Sequence, residues 1–305
     1  MLNFRMTLKL RLKSLRDICI LLLLISGCKS PATSSSNLEI INAKHHEVGP
    51  SYRNTVMILS KSSKGSSMCS GALIDNGVVV TAAHCLDHKS RKIYIHFSDS
   101  VILEDKTPIK PNRVELSDIR KFGGIAKTEG PNVVPVLDFS IFSKFFKDDR
   151  QDVGLIKIDP LKVPDNWKVI PTLDKAFLNQ FDAMVYAGFG VSEKNLAGDL
   201  GYRAVKDGKF KNNSNWCRIE VNKTRVCFGD SGGPLYGKVK DQWFVIGIAL
   251  GITSGDDSEK KSIAPIDEEF RSCVDSPNTT FLYLYGYVYS SWKRKIIKKW
   301  TKGVK

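Results

Sequence analysis

Ser231 lies in a stretch of sequence that could expose a nucleophile. Residues 227–234 read Cys-Phe-Gly-Asp-Ser-Gly-Gly-Pro, so glycines flank the acid–serine pair and a proline ends the loop. Small neighbours would let a substrate carbonyl approach the backbone, where the N–H groups of Gly229 and Ser231 could stabilise the oxyanion formed during acyl transfer. The stretch therefore predicts a nucleophilic serine together with its oxyanion hole.

A serine hydroxyl is a weak nucleophile, so a nearby base must accept its proton. Residues 81–85, Thr-Ala-Ala-His-Cys, supply His84 as that base, and residues 152–158, Asp-Val-Gly-Leu-Ile-Lys-Ile, supply Asp152 as the acid that would orient the imidazole. With Ser231 they predict a Ser-His-Asp triad. We predict no metal site, since the other four histidines show no metal-ligand spacing: His45, His46, His88 and His96.

These three stretches resemble the signature sequences of the trypsin/chymotrypsin-like serine proteases, and they follow the same order, histidine before aspartate before serine. The resemblance covers most of residues 40–300. It implies one catalytic domain at 40–305, all-β, with two packed antiparallel six-stranded barrels and a C-terminal helix. It also implies a monomeric serine endopeptidase that hydrolyses peptide bonds in proteins or peptides without a cofactor.

Short strand-like segments make up the body of the chain. Residues 69–74 and 78–83 flank the sequence Asp-Asn-Gly at 75–77, which is typical of a β-hairpin turn. Residues 281–289 are rich in aromatic side chains and also strand-like, whereas residues 292–300 place apolar side chains at helical spacing among lysines. The pattern predicts strands that position the site and a helix at the carboxyl end.

Composition bounds the class of protein and its partners. The chain has 305 residues, of which 42% are hydrophobic, and a net charge of +14 at pH 7. That hydrophobic content is enough for a folded core. Five of the basic residues lie among the first 27, and no nucleic-acid-binding motif accompanies the others. We therefore interpret the charge as a solvated basic surface and predict no nucleic-acid partner.

The amino terminus is predicted to be a targeting segment. After a basic stretch, residues 18–25 form an apolar run that is too short to span a bilayer as a helix. Residues 24–28, Leu-Ile-Ser-Gly-Cys, resemble the lipobox of bacterial lipoproteins. The resemblance implies a signal peptide at 1–27, a lipid on Cys28 that binds the membrane before activation, and a linker at 28–39. The alternative is an ordinary secretory signal.

Either signal predicts an exported protein. Lys29 follows the cysteine, which resembles lipoproteins sent to the outer membrane. We therefore expect an outer-membrane or cell-surface lipoprotein, or a protein that is secreted after processing.

The resembled family also suggests how the enzyme would be activated. In that family a proenzyme is cut before an isoleucine, whose new ammonium pairs with the acid preceding the nucleophile. Here Ile40 and Asp230 would form this pair, and a cut after Glu39 would release the domain from the lipid on Cys28. Asn42 and Ala43 depart from the two glycines of the family pattern. The alternative is that Ile40 and Ile41 merely begin a strand.

Cysteine pairing is likewise implied by the resemblance. It pairs Cys69 with Cys85 beside the candidate base, and Cys227 with Cys273 across the specificity pocket. Cys217 is then left over, either free or competing for Cys227. Disulfides are consistent with an exported protein.

Arg225 lies six residues before Ser231, at the position that forms the base of the primary pocket in the resembled family. A guanidinium there would repel basic side chains and pair with a carboxylate, so we predict cleavage after Glu or Asp. The enzyme could then process itself after Glu39. The alternative is that Arg225 faces solvent. A position in the pocket wall falls near Thr280 or Phe281, and a phenylalanine there would make the pocket shallow.

Two further expectations concern the long loop and catalytic competence. Residues 106–146 enlarge the segment between the candidate base and acid, and we interpret them as a surface loop, with a neutral insertion as the alternative to a role in substrate access. The alternative function is a catalytically silent protease homologue that binds a partner through its cleft. The complete triad argues against it.

Overall fold

The computed structural model describes the barrels, the loops next to the candidate site and the C-terminal helix. The described residues are 53–62, 65–86, 92–100, 127–142, 151–173, 181–190, 200–205, 208–213, 216–222, 226–227, 229–252, 278–284 and 287–302. The sequence expectations for the signal peptide, the linker and most of the 106–146 loop lie outside them.

The first half of the chain forms an antiparallel sheet. Its strands are β1 (Thr55–Ser62), β2 (Gly65–Asp75), β3 (Val78–Thr81), β4 (Lys92–His96), β5 (Val133–Pro135), β6 (Asp138–Ile141) and β7 (Gly154–Lys157). They are hydrogen-bonded in the order β5-β4-β1-β2-β3-β7-β6. The turn predicted at residues 75–77 joins β2 to β3.

The sheet closes because β5 and β6 are two ends of one bent segment. They occupy opposite edges of the sheet, yet only Val136 and Leu137 separate them in the chain. The Val136 N–H donates to Ile93 O at 3.0 Å, on the β4 side, and the Leu137 N–H donates to Lys157 O at 2.9 Å, on the β7 side. If β5 and β6 are counted as one bent strand, the first sheet is a closed six-stranded barrel.

The second half repeats the arrangement. Its strands are β8 (Ala183–Gly188), β9 (Gly201–Ala204), β10 (Gly208–Asn213), β11 (Trp216–Asn222), β12 (Pro234–Val239), β13 (Gln242–Ile252) and β14 (Asn278–Tyr283). They pair antiparallel in the order β10-β11-β14-β13-β12-β8-β9, so the sheet again ends on two strands that are consecutive in the chain. The predicted all-β architecture of two six-stranded barrels is confirmed.

The valine run of β3 shows how the sequence builds both a barrel core and the contact between the barrels. Val79 packs inside the first barrel. Its neighbours Val78 and Val80 point to the opposite face, where they join a cluster shared with the second barrel and the C-terminal helix. Both faces of β3 are buried, so its sequence is continuously apolar instead of alternating.

Helix α1 (Tyr287–Lys302) contacts the first barrel through its last turn. The indole N–H of Trp300 donates to Asp138 Oδ2 at 2.8 Å, and Lys157 Nζ donates to the Trp300 carbonyl at 3.2 Å. In its second turn, the buried Lys293 donates to the Thr172 hydroxyl. No helix in the described part of the chain is long and apolar enough to cross a membrane.

The strand predicted over 281–289 is wrong in its second half. Strand β14 ends at Tyr283, and the helix begins at Tyr287. Tyr289 then packs on Trp292, three residues later, with ring centroids 5.9 Å apart. A short aromatic run satisfies the strand and helix periods equally well, and only packing against the barrels distinguishes them.

Candidate active site

Strand pairing brings the candidate base and the candidate acid together. His84 lies in a 3₁₀ turn, Ala83–Cys85, which one residue separates from the end of β3, and Asp152 lies two residues before the start of β7. Strands β3 and β7 are antiparallel neighbours, with Thr81 opposite Gly154. Residues that are 68 positions apart in the sequence therefore meet at one end of the first barrel.

Asp152 holds His84 through both of its carboxylate oxygens. Oδ2 lies 2.5 Å from Nδ1 of the imidazole, and Oδ1 accepts a hydrogen bond of 2.8 Å from the His84 backbone N–H. The Asp152 side chain is 8% exposed and the His84 side chain 41% exposed. With Nδ1 engaged by the acid, Nε2 is the ring nitrogen left to exchange a proton with a nucleophile.

The loop that carries Ser231 packs directly against the strand and turn that carry His84. The Cys85 sulfur lies 3.7 Å from the Ser231 carbonyl oxygen, a contact only, because the sulfur belongs to a disulfide. A Cβ on Gly232 would lie 2.1 Å from the Thr81 hydroxyl, so this close approach requires a glycine. Ser231 itself is partly buried. The loop that carries Ser231 thus lies beside the turn that carries His84, at the junction of the barrels.

Hydrogen bonds shape this loop on both sides of the nucleophile. The Ser70 N–H donates to the Ser231 carbonyl at 2.9 Å, and the Gly232 N–H donates to the Ala249 carbonyl at 2.8 Å. Gly229 has a φ of +91°, a conformation that favours glycine. Within the described part of the chain, the N–H groups of Gly229 and Ser231 donate to no other residue. A bound oxyanion could therefore use both donors.

Asp230, the acid before the nucleophile, is buried in a cradle of backbone amides. Its Oδ1 accepts from the Gly190 N–H at 2.7 Å and its Oδ2 from the Cys227 N–H at 2.9 Å. A Cβ on Gly190 would lie 2.2 Å from this carboxyl group. Burial raises the pKa of Asp230, and the neighbouring Tyr186 hydroxyl and the two amide hydrogen bonds act in the opposite direction. The predicted partner, Ile40, lies outside the described residues.

The predicted Cys69–Cys85 disulfide is present, with an S–S distance of 2.05 Å. Cys227 is also disulfide-bonded, and its partner is not among the described side chains. The pairing with Cys273 therefore remains a prediction, and so does the state of Cys217.

Within the described residues, one group of three side chains has the spacing to hold a metal ion: Cys69, His84 and Cys85. Because Cys69 and Cys85 form a disulfide with each other, their sulfurs are not available as thiolate ligands.

Several predicted site residues lie outside the described part of the chain: Arg225, Ile40, Cys28 and Cys273. The pocket-wall candidate Phe281 is described and fully buried, and it packs on Tyr186 in the core of the second barrel, with ring centroids 5.3 Å apart. The Phe281 ring is therefore part of the core of the second barrel.

Sequence analysis did not single out Ser70. Its buried hydroxyl donates to the Gly229 carbonyl at 2.7 Å and accepts from the Phe189 N–H at 3.0 Å. The only sequence signal was its position next to Cys69. A serine between a cysteine and a glycine has no pattern that separates it from an ordinary strand residue.

A family model described as Trypsin matches residues 42–268. Among solved structures, HL collagenase is 21% identical, with a TM-score of 0.53 over 83% of this chain and 95% of that chain. At this identity the likeness concerns the fold. Protease Anisep from Arthrobacter nicotinovorans is 11% identical, with a TM-score of 0.49 over 79% of this chain and 94% of that one. A search of curated proteins found no match.

Proposed function

Because this chain belongs to the trypsin family and has the fold of a serine protease, we propose that it is an endopeptidase that uses Ser231, His84 and Asp152 as a catalytic triad. The observation that carries the proposal is the two-point contact between His84 and Asp152 beside the Ser231 loop. Asp152 stabilises the tautomer with a proton on Nδ1, which leaves Nε2 free to act as a base.

In the acylation half of the reaction, the Ser231 hydroxyl oxygen attacks the carbonyl carbon of the scissile peptide bond. His84 takes the hydroxyl proton on Nε2, and the resulting imidazolium is stabilised by Asp152. The N–H groups of Gly229 and Ser231 stabilise the negative charge on the carbonyl oxygen. His84 then gives its proton to the leaving amine, and the C–N bond breaks.

In the second half, water hydrolyses the ester between the substrate acyl group and Ser231. His84 removes a proton from the water and returns it to the serine oxygen as the acid product leaves. Asp152 keeps the imidazole oriented through both halves, so the same three side chains serve each transfer.

Activation is proposed to depend on Asp230. A cut before Ile40 would create an ammonium group that pairs with this buried carboxylate. Burial raises the pKa of Asp230, so a buried cation would favour its charged form. Asp230 directly precedes Ser231, and the pairing would stabilise the loop that carries the oxyanion donors.

Export is proposed from the amino-terminal sequence, with residues 1–27 as the signal peptide and a lipid on Cys28. The Cys69–Cys85 disulfide supports this proposal, because structural disulfides persist in oxidising compartments outside the cytosol. For substrate preference, we propose cleavage after Glu or Asp, on the basis of Arg225 in the sequence.

The decisive experiment is a digest with protein that begins at Ile40 and has its disulfides formed. A diverse peptide mixture is incubated with the enzyme, and mass spectrometry identifies the cut sites, with Ser231→Ala as control. A serine-directed phosphonate reports independently on the nucleophile. We expect cuts and labelling that Ser231→Ala abolishes. A folded sample that neither cuts nor reacts would overturn the proposal in favour of the catalytically silent homologue.

The same digest tests the substrate preference. Cuts after Glu or Asp that shift towards other residues in Arg225→Gln would support a guanidinium in the primary pocket. Serine-dependent cuts with an unchanged preference in that variant would retain the protease and reject this role of Arg225.

A further inference from the structure

We propose that Ser70 is a positioning residue for the oxyanion hole, acting through a buried hydroxyl that bridges the Gly229 carbonyl and the Phe189 N–H. This inference rests on the proposed protease function and extends it to a residue that does not touch the substrate. Ser70 lies on β2 of the first barrel, whereas both groups that it bridges belong to the second half of the chain.

Four hydrogen bonds use every polar group of Ser70. The hydroxyl donates to the Gly229 carbonyl at 2.7 Å and accepts from the Phe189 N–H at 3.0 Å. The backbone N–H donates to the Ser231 carbonyl at 2.9 Å, and the backbone carbonyl accepts from the Thr81 hydroxyl at 2.8 Å. An amide N–H can only donate, so the single hydroxyl proton of Ser70 must point to Gly229. The direction of the bridge is therefore fixed.

The two bonds to the loop hold it on both sides of Asp230. Gly229 has a φ of +91°, and no side chain restricts rotation at that residue. Its carbonyl is held by the Ser70 hydroxyl, and the Ser231 carbonyl is held by the Ser70 N–H. Oxyanion stabilisation depends on donors that are preorganised at hydrogen-bond distance. A loop free to rotate at Gly229 would lose that alignment.

The second partner of the hydroxyl connects Ser70 to the cradle of Asp230. Phe189 directly precedes Gly190, whose N–H binds the Asp230 carboxylate at 2.7 Å. One buried oxygen thus joins β2, the loop that carries Ser231 and the segment that binds the acid before the nucleophile. Ser70 is fully buried, so water cannot replace its hydroxyl without rearrangement of these elements.

Ser60 provides a matched control in the same barrel. It lies on β1 and is 2% exposed, and its hydroxyl has no hydrogen-bond partner among the described residues. Ser60→Ala and Ser70→Ala remove the same atom from equally buried positions. A difference between the two variants therefore reports on the hydrogen bonds of Ser70 and not on the loss of a buried oxygen.

The test compares wild type, Ser70→Ala and Ser60→Ala, each beginning at Ile40. We measure kcat and KM on a peptide amide cut by the wild type, and inhibition by a peptide aldehyde, which forms an oxyanion with the nucleophile. We expect Ser70→Ala to lower kcat about 10- to 100-fold, less than loss of an oxyanion donor itself, and to weaken the aldehyde in parallel. KM should change less than about threefold, and Ser60→Ala should match the wild type.

Two results would overturn the role of Ser70. One is a kcat for Ser70→Ala within twofold of that for Ser60→Ala. The other is a loss that appears in KM while aldehyde inhibition is unchanged. If Ser70→Ala does not fold, Ser70→Cys keeps a side chain of similar shape with a weaker donor, and a kcat equal to wild type would then reject the proposal. A wild type that fails to react with the phosphonate overturns the protease function itself, and the role of Ser70 with it.

Discussion

Two buried hydrogen-bonded clusters join the barrels, and each is built around a hydroxyl group. The Ser70 cluster consists of Ser70, Thr81, Phe189, Gly229 and Ser231. The Tyr236 cluster consists of Asn54, Thr55 and Tyr236. In the latter, the Tyr236 hydroxyl lies 2.7 Å from Thr55 Oγ1 and donates to Asn54 Oδ1 at 2.8 Å. Asn54 in turn donates to the Leu73 and Lys168 carbonyls at 2.6 and 2.8 Å.

The clusters differ in what their hydrogen bonds hold. Thr55 and Tyr236 belong to strands β1 and β12, whose shapes are already set by ladder hydrogen bonds. The Ser70 hydroxyl instead holds a loop at a glycine with positive φ. The buried hydroxyls of Tyr236 and Ser70 therefore make similar hydrogen bonds but hold different kinds of structure, a strand in one case and a loop in the other. We expect the Tyr236 cluster to contribute mainly to stability, and the Ser70 cluster mainly to the geometry of the site.

We expect the largest loss of kcat at Asp152, the acid of the proposed triad. Changes in the Ser70 cluster should lower kcat by less than this amount. In Asp152→Asn the side-chain amide would donate to Nδ1 of His84, so the ring proton would move to Nε2 and block transfer from Ser231. We expect kcat to fall about 10⁴-fold with little change in unfolding. Steady-state kinetics and urea unfolding measure the two effects.

Asp138→Asn is the control for that variant, because this carboxylate belongs to the same barrel and accepts a hydrogen bond from Trp300. It should leave kcat unchanged. A kcat for Asp152→Asn within tenfold of the wild type would show that the two-point contact with His84 is not part of the mechanism.

His96 sharpens the comparison because its ring is buried without the hydrogen bonds that satisfy both clusters. It is fully buried, and neither ring nitrogen makes a hydrogen bond of good geometry within the described residues, although the Lys127 backbone lies close enough to interact with the ring. Burial lowers the pKa of His96 to about 4, with the charge of Lys61 adding to the effect and the Lys127 backbone opposing it. The unfolded chain, with an ordinary histidine pKa near 6.5, binds the proton first as the pH falls.

The folded state therefore loses stability between about pH 6.5 and pH 4, and the loss ends below pH 4. We expect wild type to lose about 3 kcal/mol relative to His96→Leu over this window. Urea unfolding at pH 7, 5.5 and 4 measures the free energy of unfolding for both proteins. Parallel pH profiles would mean that His96 takes up its proton equally well in the folded protein.

Tyr236→Phe tests the second cluster directly and should give the smallest effect. The variant leaves Asn54 Oδ1 without its buried donor, whereas the Thr55 hydroxyl keeps its side-chain hydrogen bond with Tyr202. An unsatisfied buried acceptor costs about 1–3 kcal/mol in the free energy of unfolding. We expect kcat and KM to stay at wild-type values. Tyr94→Phe, at a half-buried position on β4, is the control. A fall in kcat beyond twofold would show that the two clusters are coupled.

Much of the site was predictable because its chemistry requires local sequence. Ser231 needs small neighbours for close approach, and Gly232 indeed packs against Thr81 where a Cβ would not fit. His84 and Asp152 stand at the ends of apolar strands that an alternating or continuously apolar pattern identifies. The hairpin at residues 75–77 was predictable from its turn residues, because asparagine and glycine tolerate positive φ.

The rest required the packed molecule. Residues 281–289 fit either a strand or a helix, and the barrel surface decided where β14 ended and α1 began. Closure of the first barrel depends on the bend at Val136 and Leu137, whose N–H groups turn to opposite neighbouring strands. Apart from hairpin neighbours such as β2 and β3, no single-sequence pattern encodes which strand lies opposite which, since that pairing depends on contacts between distant residues.

The sequence by itself determined the residue types proposed for the triad, their order, the strand-rich body and the terminal helix, because each depends on neighbours within a few positions. Only the tertiary structure decided that Asp152 contacts His84 at two points and that Asp230 lies in an amide cradle. The role proposed for Ser70 also rests on the fold alone. Its hydroxyl joins Gly229 and Phe189 across the interface of the two barrels, and such a contact exists only once both barrels have formed.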